Sequence, residues 1–125
     1  MAPLEGVEGA LAEAMEQLLR YFQGREKAFN LPLDLRGTPF QIRVWRQLLE
    51  IPYGTTLSYG EVARAIGNPR ASQAVGSAVG KNPVPIVVPC HRVLGHDGSL
   101  VGFGGGLPTK ERLLELEGAG VGADP

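Results

Sequence analysis

The residues best suited to chemistry lie together in Pro89-Cys90-His91-Arg92-Val93. Cys90 is the only cysteine in the sequence, and His91 is one of its two histidines. A thiol becomes a strong nucleophile when it loses its proton. A small reactive side chain directly after an apolar run that ends in proline indicates a rigid support for such a nucleophile. The competing interpretation is an inert core thiol, which is the commoner state of a free cysteine.

Metal sites and membrane segments find no support in the sequence. One cysteine cannot form an internal disulfide, and one cysteine with two histidines does not match the usual ligand set of a structural zinc site. We therefore expect neither a metal nor a cofactor. No apolar run reaches the length of a membrane span, and the N-terminus lacks a signal-peptide pattern, so we expect a cytoplasmic protein, or a nuclear one if the source has a nucleus.

The composition fits one ordinary domain that carries a modest basic region. The 125 residues are 43% hydrophobic, which is enough for a core, and their formal net charge is -1. Within residues 58–112, six basic residues stand against three acidic ones, a local balance of +3. Such a region is compatible with a surface that contacts phosphates.

The segment that leads to the cysteine carries strand and turn signals. The apolar run at residues 86–88 predicts a strand that Pro89 ends, which would give the thiol a rigid support. Asn82 lies in the preceding turn, where its amide could hold the backbone around Cys90. Further on, Asp97-Gly98 predicts a hairpin with a return strand at residues 100–101, followed by a glycine-rich loop at residues 102–106.

Three helices are expected around these segments. The first is amphipathic and covers residues 7–22, with apolar positions at Leu11, Met15, Leu18, Leu19 and Phe22. After an extended stretch at residues 31–35, the second begins at a capping box formed by Thr38 and Gln41, with Pro39 at its first position. Its predicted buried stripe comprises Val44, Trp45, Leu48 and Leu49. The last helix is expected from Thr109, as its N-cap, to Glu117, before Gly118.

Two further short helices have the outline of a helix-turn-helix. Ser58 and Glu61 form a second capping box, and Gly67 ends the helix that it opens. A helix rich in small residues is then expected over residues 71–79, and its small face would let the backbone approach DNA closely. An ordinary pair of packed helices explains the same pattern equally well.

Taken together, these segments resemble the O6-alkylguanine-DNA alkyltransferases over about residues 33–118. The resemblance rests on the motif at residues 89–93, on Asn82-Pro83, on the glycine-rich loop and on the run at residues 113–118. It implies a mixed, mainly helical α/β fold: a winged helix-turn-helix-like DNA-binding domain after a shortened N-terminal segment. It also implies direct DNA repair by irreversible, single-turnover transfer of an alkyl group from O6-alkylguanine to Cys90.

The resemblance assigns catalytic roles to five residues. Cys90 would accept the alkyl group, His91 would be the base that forms the thiolate through a water, and Glu117 would orient His91. Asn82 would brace the turn of the active site. Tyr59 would donate its hydroxyl to a ring nitrogen of the leaving guanine.

The resemblance also implies contacts with double-stranded DNA. The damaged nucleotide would rotate out of the duplex, and the helix with the small face would enter the minor groove. Gln73 would occupy the gap at a position where the family has an arginine, and Arg92 would either contact DNA or brace the motif through backbone contacts. Phe103 would pack on the base where tyrosine is usual, and Lys110 would lie near the pocket rim. The full set of expected DNA and base contacts is Gln73, Arg70, Ser72, Ala74, Arg92, Phe103, Gly104, Gly105 and Lys110.

The predicted organisation has three parts. Residues 1–36 would form a truncated N-terminal segment with one helix, residues 37–120 the alkyltransferase domain, and residues 121–125 a disordered tail. A monomer is expected. The first alternative is an alkyltransferase-like protein, which recognises lesions without repairing them and replaces the cysteine. A winged-helix regulator would leave the cysteine motif without a purpose, and a cysteine hydrolase would need an oxyanion site.

Overall fold

The fold is mainly helical with one small sheet, as the resemblance implied. The computed structural model of the protein describes residues 2–95, 98 and 106–119. Its elements in chain order are α1 (Ala2–Phe22), α2 (Pro39–Leu49), β1 (Leu57–Ser58), α3 (Tyr59–Ala65), α4 (Ser72–Gly80), a 3-10 helix (Cys90–Arg92), β2 (Val93–Leu94) and α5 (Leu107–Leu116). Contacts divide the chain into two compact units between Asp34 and Leu35.

The first unit holds α1, which begins five residues before its predicted start. Its buried face carries Gln17 and Tyr21. Gln17 bonds both backbone groups of Asn30: Nε2 donates to the Asn30 carbonyl at 3.1 Å, and Oε1 accepts from the Asn30 N–H at 2.9 Å. The ring of Tyr21 packs against Phe29. These contacts hold the following segment on this side of the helix.

The other side of α1 is exposed, and the prediction that its apolar residues form a packing face is wrong. Four of the five are more than half exposed, and they are Leu11, Met15, Leu19 and Phe22. On the buried side lies Gln17, a polar residue that forms two hydrogen bonds with the Asn30 backbone. None of the helices among the described residues has the length and apolar character that crossing a bilayer would require.

In the second unit, α2 begins as predicted. Thr38 is its N-cap and Pro39 follows, while both hydrogen bonds of the capping box join Thr38 and Gln41. Gly37 packs closely against this start, because a Cβ there would lie 2.6 Å from Gln41 Oε1 and 2.8 Å from the Trp45 ring. The predicted stripe is buried at Val44, Trp45 and Leu48, but Leu49, the last helical residue, is 39% exposed.

Helices α3 and α4 pack against each other as the expected pair. The capping box of Ser58 and Glu61 opens α3, and Gly67, with φ +81°, follows its end. Helix α4 begins one residue later than predicted and also packs against α2. There the indole N–H of Trp45 donates to the Ala78 carbonyl at 2.8 Å. Trp45 is therefore a core residue that fixes α4.

The predicted strand at residues 86–88 is wrong. The chain forms turns instead: the Val88 N–H donates to the Val84 carbonyl at 2.9 Å, and Ile86 has φ 76°. Three prolines at positions 83, 85 and 89 remove donors that a ladder would need. The strand comes after the cysteine, where β2 pairs in parallel with β1 through Leu57–Val93 and Ser58–Leu94.

The last described helix, α5, begins without a side-chain cap. Its N-cap is Gly106, with φ 94°, so the prediction that Thr109 is the cap is wrong. Gly118, with φ 74°, follows its end as expected. The predicted return strand at residues 100–101, the loop at residues 102–105 and the tail at residues 121–125 lie outside the described residues.

Candidate active site

Cys90 is the first residue of the 3-10 helix, immediately before β2. Cys90 is only 6% exposed to solvent. Burial raises the pKa of the Cys90 thiol above its ordinary value, while a hydrogen bond with the Asn82 side chain and the charge of Lys110 act in the opposite direction. A thiol with a raised pKa holds its proton at neutral pH, so nucleophilic attack by this sulfur requires a base.

Asn82 braces the turn that leads to the cysteine. Its Nδ2 donates to the Val88 carbonyl at 2.7 Å, and its Oδ1 accepts from the Val84 N–H at 2.9 Å. Both groups of the amide are therefore used within six residues of chain. This is the contact that the sequence analysis expected of Asn82, and it holds the backbone two residues before Cys90.

His91 and Glu117 meet in the interior, although 26 positions separate them. His91 Nε2 lies 2.7 Å from Glu117 Oε2, and both side chains are fully buried. Because a carboxylate oxygen accepts, Nε2 is the donor of this hydrogen bond. Among the described residues, no group forms a hydrogen bond with the buried Nδ1. The carboxylate therefore orients the imidazole ring.

Arg92 lies in the interior and does not face outward as a DNA contact would. It is 6% exposed, and two of its nitrogens donate to Glu117: Nε to Oε1 at 2.8 Å and Nη2 to Oε2 at 2.9 Å. Nη1 donates to the Ile51 carbonyl at 2.7 Å. Of the two roles considered for Arg92, the structure favours the brace, since its donors are directed to partners inside the protein.

Lys110 is fully buried, so the expected place at the pocket rim is wrong. Its Nζ donates to the Val93 carbonyl at 2.6 Å. Burial lowers the pKa of Lys110 to about 8, and the negative charge of a Cys90 thiolate raises it. The charges of Lys110 and Cys90 therefore influence each other's protonation.

Tyr59 lines a cavity of about 340 Å³, and its other lining residues are Gly60, Ser72, Gln73, Gly76 and Gly95. Burial raises the pKa of Tyr59 above its ordinary value, and the charge of a Cys90 thiolate adds to that shift. Tyr59 therefore keeps its hydroxyl proton at neutral pH and can donate it in a hydrogen bond.

The other predicted DNA contacts fall into two groups. The exposed ones lie at the start of α4 or just before it, and they are Arg70, Ser72, Gln73 and Ala74. Phe103, Gly104 and Gly105 lie outside the described residues. Within the described part of the chain, no group of three or more His, Cys, Asp or Glu side chains could hold a metal ion.

The sequence analysis missed the turn at residues 51–54 as part of the site. The Gly54 N–H donates to Glu117 Oε1 at 3.3 Å, and the Tyr53 hydroxyl donates to the Leu116 carbonyl at 3.1 Å. The centre of the Tyr53 ring lies 5.7 Å from Arg92 Cζ. Within this turn the sequence offered one signal, the glycine at position 54. In the structure the φ of Gly54 is 78°, and a Cβ there would lie 3.0 Å from the Glu117 carbonyl oxygen.

Known proteins are similar to this chain in both sequence and fold. Residues 39–119 match the DNA-binding domain of 6-O-methylguanine DNA methyltransferase. The methylated-DNA–protein-cysteine methyltransferase of Mycobacterium bovis is 56% identical over 116 residues, which are 93% of this chain and 70% of that protein. The crystal structure of Mycobacterium tuberculosis OGT in complex with DNA has a TM-score of 0.85 and 55% identity, covering 90% of this chain and 70% of that one.

A more distant likeness bears on the first alternative. S. pombe Atl1, in complex with damaged DNA containing O6-carboxymethylguanine, has a TM-score of 0.58 and 35% identity, covering 67% of this chain and 80% of that one. The nearer relatives cover more of the chain at higher identity and are named as methyltransferases. With its buried cysteine, histidine and glutamate on this helical scaffold, the chain belongs to the 6-O-methylguanine DNA methyltransferase family.

Proposed function

We propose that the protein repairs DNA directly, by irreversible transfer of an alkyl group, typically methyl, from O6 of guanine to the sulfur of Cys90. The observation that carries the proposal is the hydrogen bond between His91 and Glu117, which leaves a basic nitrogen in the residue next to a buried thiol. Nucleophile, base and orienting carboxylate are the groups that activation of a thiol needs. The relatives that share this fold are named for such a transfer.

The reaction is a displacement at the alkyl carbon. His91 takes the proton of the thiol, and the resulting thiolate forms a sulfur–carbon bond while the carbon–oxygen bond breaks. The electron pair of that bond leaves with the guanine. Tyr59 donates its hydroxyl to a ring nitrogen of the guanine as negative charge develops there, and its raised pKa keeps that donor protonated.

The single turnover follows from the product. A thioether at Cys90 has no proton to lose, and neither His91 nor Glu117 can remove an alkyl group from sulfur. Each protein molecule therefore acts once, and the alkylated chain is the second product of the reaction.

We infer that the DNA lies against the start of α4, with the lesion rotated out of the duplex. O6 of a stacked guanine is out of reach of a thiol that is 6% exposed, so the base must come to the sulfur. The cavity of about 340 Å³ beside Tyr59 falls in the size range of small-molecule sites and would receive the base. Gln73 lines that cavity and would fill the gap from the minor groove, with Arg70 and Ser72 at phosphates.

The test is the intact mass of the protein after mixing with duplex DNA that carries one O6-methylguanine. We expect a gain of one methyl group at Cys90, an equal amount of restored guanine and no second turnover. Cys90→Ser, which keeps the size of the side chain, should bind the same duplex without any gain. Absence of both binding and transfer in the wild type would contradict the proposal.

The second candidate is lesion recognition without transfer, and the likeness to S. pombe Atl1 favours it. Against it stands Cys90 itself, since the alkyltransferase-like proteins considered in the sequence analysis replace that residue. The same mass measurement separates the two: tight binding to the damaged duplex with an unchanged mass of the wild type would identify a lesion sensor.

A further inference from the structure

One basic side chain beside the cavity has no role in the proposed reaction. Arg64 is the basic residue of α3 and lies in the last turn of that helix, four residues after Gly60. Gly60 lines the cavity together with Tyr59. A Cβ built on Gly60 would lie 3.9 Å from Arg64 Nη1, so the guanidinium reaches back along the helix to a residue of the cavity wall.

Arg64 is exposed, and its donors are available to a ligand. Within residues 2–95, 98 and 106–119, no group forms a hydrogen bond or a close ion pair with its side chain. Its charge does act on Glu61: hydrogen bonds with Ser58 lower the pKa of Glu61, and the charge of Arg64 adds to that shift. Glu61 Oε1 itself accepts from the Ser58 N–H at 2.8 Å. An anion from outside the chain can therefore reach the guanidinium.

Other cations of the second unit are placed differently. Arg43 donates to the Ile66 carbonyl at the end of α3, and Lys110 is fully buried. Arg70 is exposed, but it lies just before α4, the helix whose residues Ser72, Gln73 and Gly76 line the cavity. On the α3 side of the cavity, the available positive charge is that of Arg64.

The ligand that suits this position is a phosphate group. A nucleotide that rotates out of a duplex stays joined to the backbone by a phosphate on each side, and both phosphates remain outside the pocket that takes the base. With the base in the cavity, one phosphate would lie toward α4 and the other toward α3. A guanidinium fits phosphate oxygens well, because it presents two parallel N–H donors together with its charge.

We propose that Arg64 is a DNA-binding residue that donates to a backbone phosphate on the α3 side of the cavity. With Arg70 on the α4 side, the nucleotide that enters the cavity is then held at both of its phosphates. The place of this contact rests on the proposed function, because it takes the cavity to be the base pocket. The contact itself needs no alkyl transfer and can be measured by binding alone. The competing explanation is an exposed pair with Glu61 on the helix surface, which would contact no ligand.

The test is the affinity for a fluorescein-labelled duplex with one O6-methylguanine, measured by fluorescence anisotropy at several salt concentrations. Every protein in the series carries Cys90→Ser, so that no transfer occurs during the titration. We expect Arg64→Gln to bind about 3- to 10-fold more weakly at about 0.1 M salt, with a salt slope smaller by about one, because one phosphate contact is lost. An undamaged duplex should show the same change of slope, since a phosphate contact carries no sequence information. Arg64→Lys keeps the charge without the paired donors and should lose less.

Two further variants separate a direct contact from a general effect of charge. Arg46→Gln makes the same substitution at an exposed position of α2 that does not line the cavity, and it should weaken binding far less. Glu61→Gln keeps the capping box, in which glutamine can replace glutamate, and removes the negative charge that acts on Arg64. We therefore expect Glu61→Gln to bind DNA more tightly. Equal losses for Arg64→Gln and Arg46→Gln, or no loss for Arg64→Gln, would overturn the proposal.

The intact-mass measurement distinguishes this proposal from the proposed function. If the wild type gains no methyl group but its binding to the duplex depends on Arg64 as expected, transfer fails as the function while the phosphate contact stands. If the wild type gains the methyl group and Arg64→Gln binds as tightly as its reference protein, transfer stands and Arg64 belongs to the surface pair with Glu61.

Discussion

Cys90 lies in surroundings that oppose its own ionisation. Burial raises the pKa of its thiol, and Lys110, whose charge acts on that thiol, is buried as well, so the pKa of Lys110 is lowered to about 8. Burial therefore disfavours the charged form of both groups. A resting thiol of this kind is protected from adventitious alkylation, and its reactivity depends on His91.

Lys110 should contribute to the pH dependence of the free energy of unfolding. Its pKa is about 8 in the folded protein and lies near its ordinary value of 10.5 in the unfolded chain. Between those values the unfolded chain binds more protons, so stability rises with pH. We expect the free energy of unfolding of wild type, relative to Lys110→Met at the same pH, to increase from about pH 8 to 10. Denaturant unfolding at several pH values checks this, and a constant difference would show that burial does not lower the pKa of Lys110.

A substitution of Gln73 that adds a charge should change the affinity of the protein for DNA. It is exposed near the start of α4 and lines the cavity beside Tyr59, but it carries no charge. Gln73→Arg adds a cation where the proposed interface meets the duplex, so we expect tighter binding and a steeper salt dependence. Fluorescence anisotropy at matched salt measures both. Glu50→Gln, a similar change of charge at an exposed position after α2, is the control, and equal affinities for wild type and Gln73→Arg would count against the proposed role of Gln73.

At the level of elements, the start of α2 is closely packed around Gly37. Gly37 precedes the capping box, and a methyl group there would meet both Gln41 Oε1 and the ring of Trp45. Because Trp45 also holds α4 through Ala78, it cannot move freely to make room. We expect Gly37→Ala to lower the free energy of unfolding by about 1–3 kcal/mol, the usual cost of overpacking. Gly80→Ala, at a glycine with open space around it, should cost far less in the same thermal unfolding experiment.

Elements with local signals were predictable, and those made by distant contacts were not. The capping boxes at Thr38 and Ser58 were read correctly because both partners lie within four residues. The strand before the cysteine was predicted wrongly because Asn82, not a neighbouring strand, takes the Val88 carbonyl. Likewise, Gln17 of α1 is buried and bonded to the Asn30 backbone, which hydrophobic spacing alone does not reveal.

The same distinction applies to the site. The motif at residues 89–93 pointed to Cys90 and His91 directly, and the resemblance supplied Glu117 and Asn82. The contribution of residues 51–54 needed the structure, because a backbone carbonyl or N–H has no signature in the sequence. The interior position of Lys110 was also hidden, since a lysine is usually found at the surface.

For the molecule as a whole, Glu117 is the point at which separate parts of the chain are joined. It bonds to the turn before β1 through Gly54 and to the 3-10 helix through His91 and Arg92. Glu117→Gln would leave the buried guanidinium of Arg92 without its counter-charge. We therefore expect a loss of about 3–5 kcal/mol in the free energy of unfolding.

The matched control is Glu16→Gln in α1, where the ion pair with Arg20 is largely exposed. Urea titration measures the free energy of unfolding of both variants, and the effect of Glu16→Gln should be small. Similar losses for the two variants would mean that the buried pair contributes no more than a surface one.

The position of Glu117 also sets an order in time during biosynthesis. His91 is made 26 residues before the carboxylate that orients it. A nascent chain that has reached only Val93 therefore contains the sulfur and the imidazole but not the group that orients the imidazole. The reactive centre is completed only when the end of α5 has been synthesised and has folded back onto the 3-10 helix. Until then, His91 lacks the carboxylate that orients it.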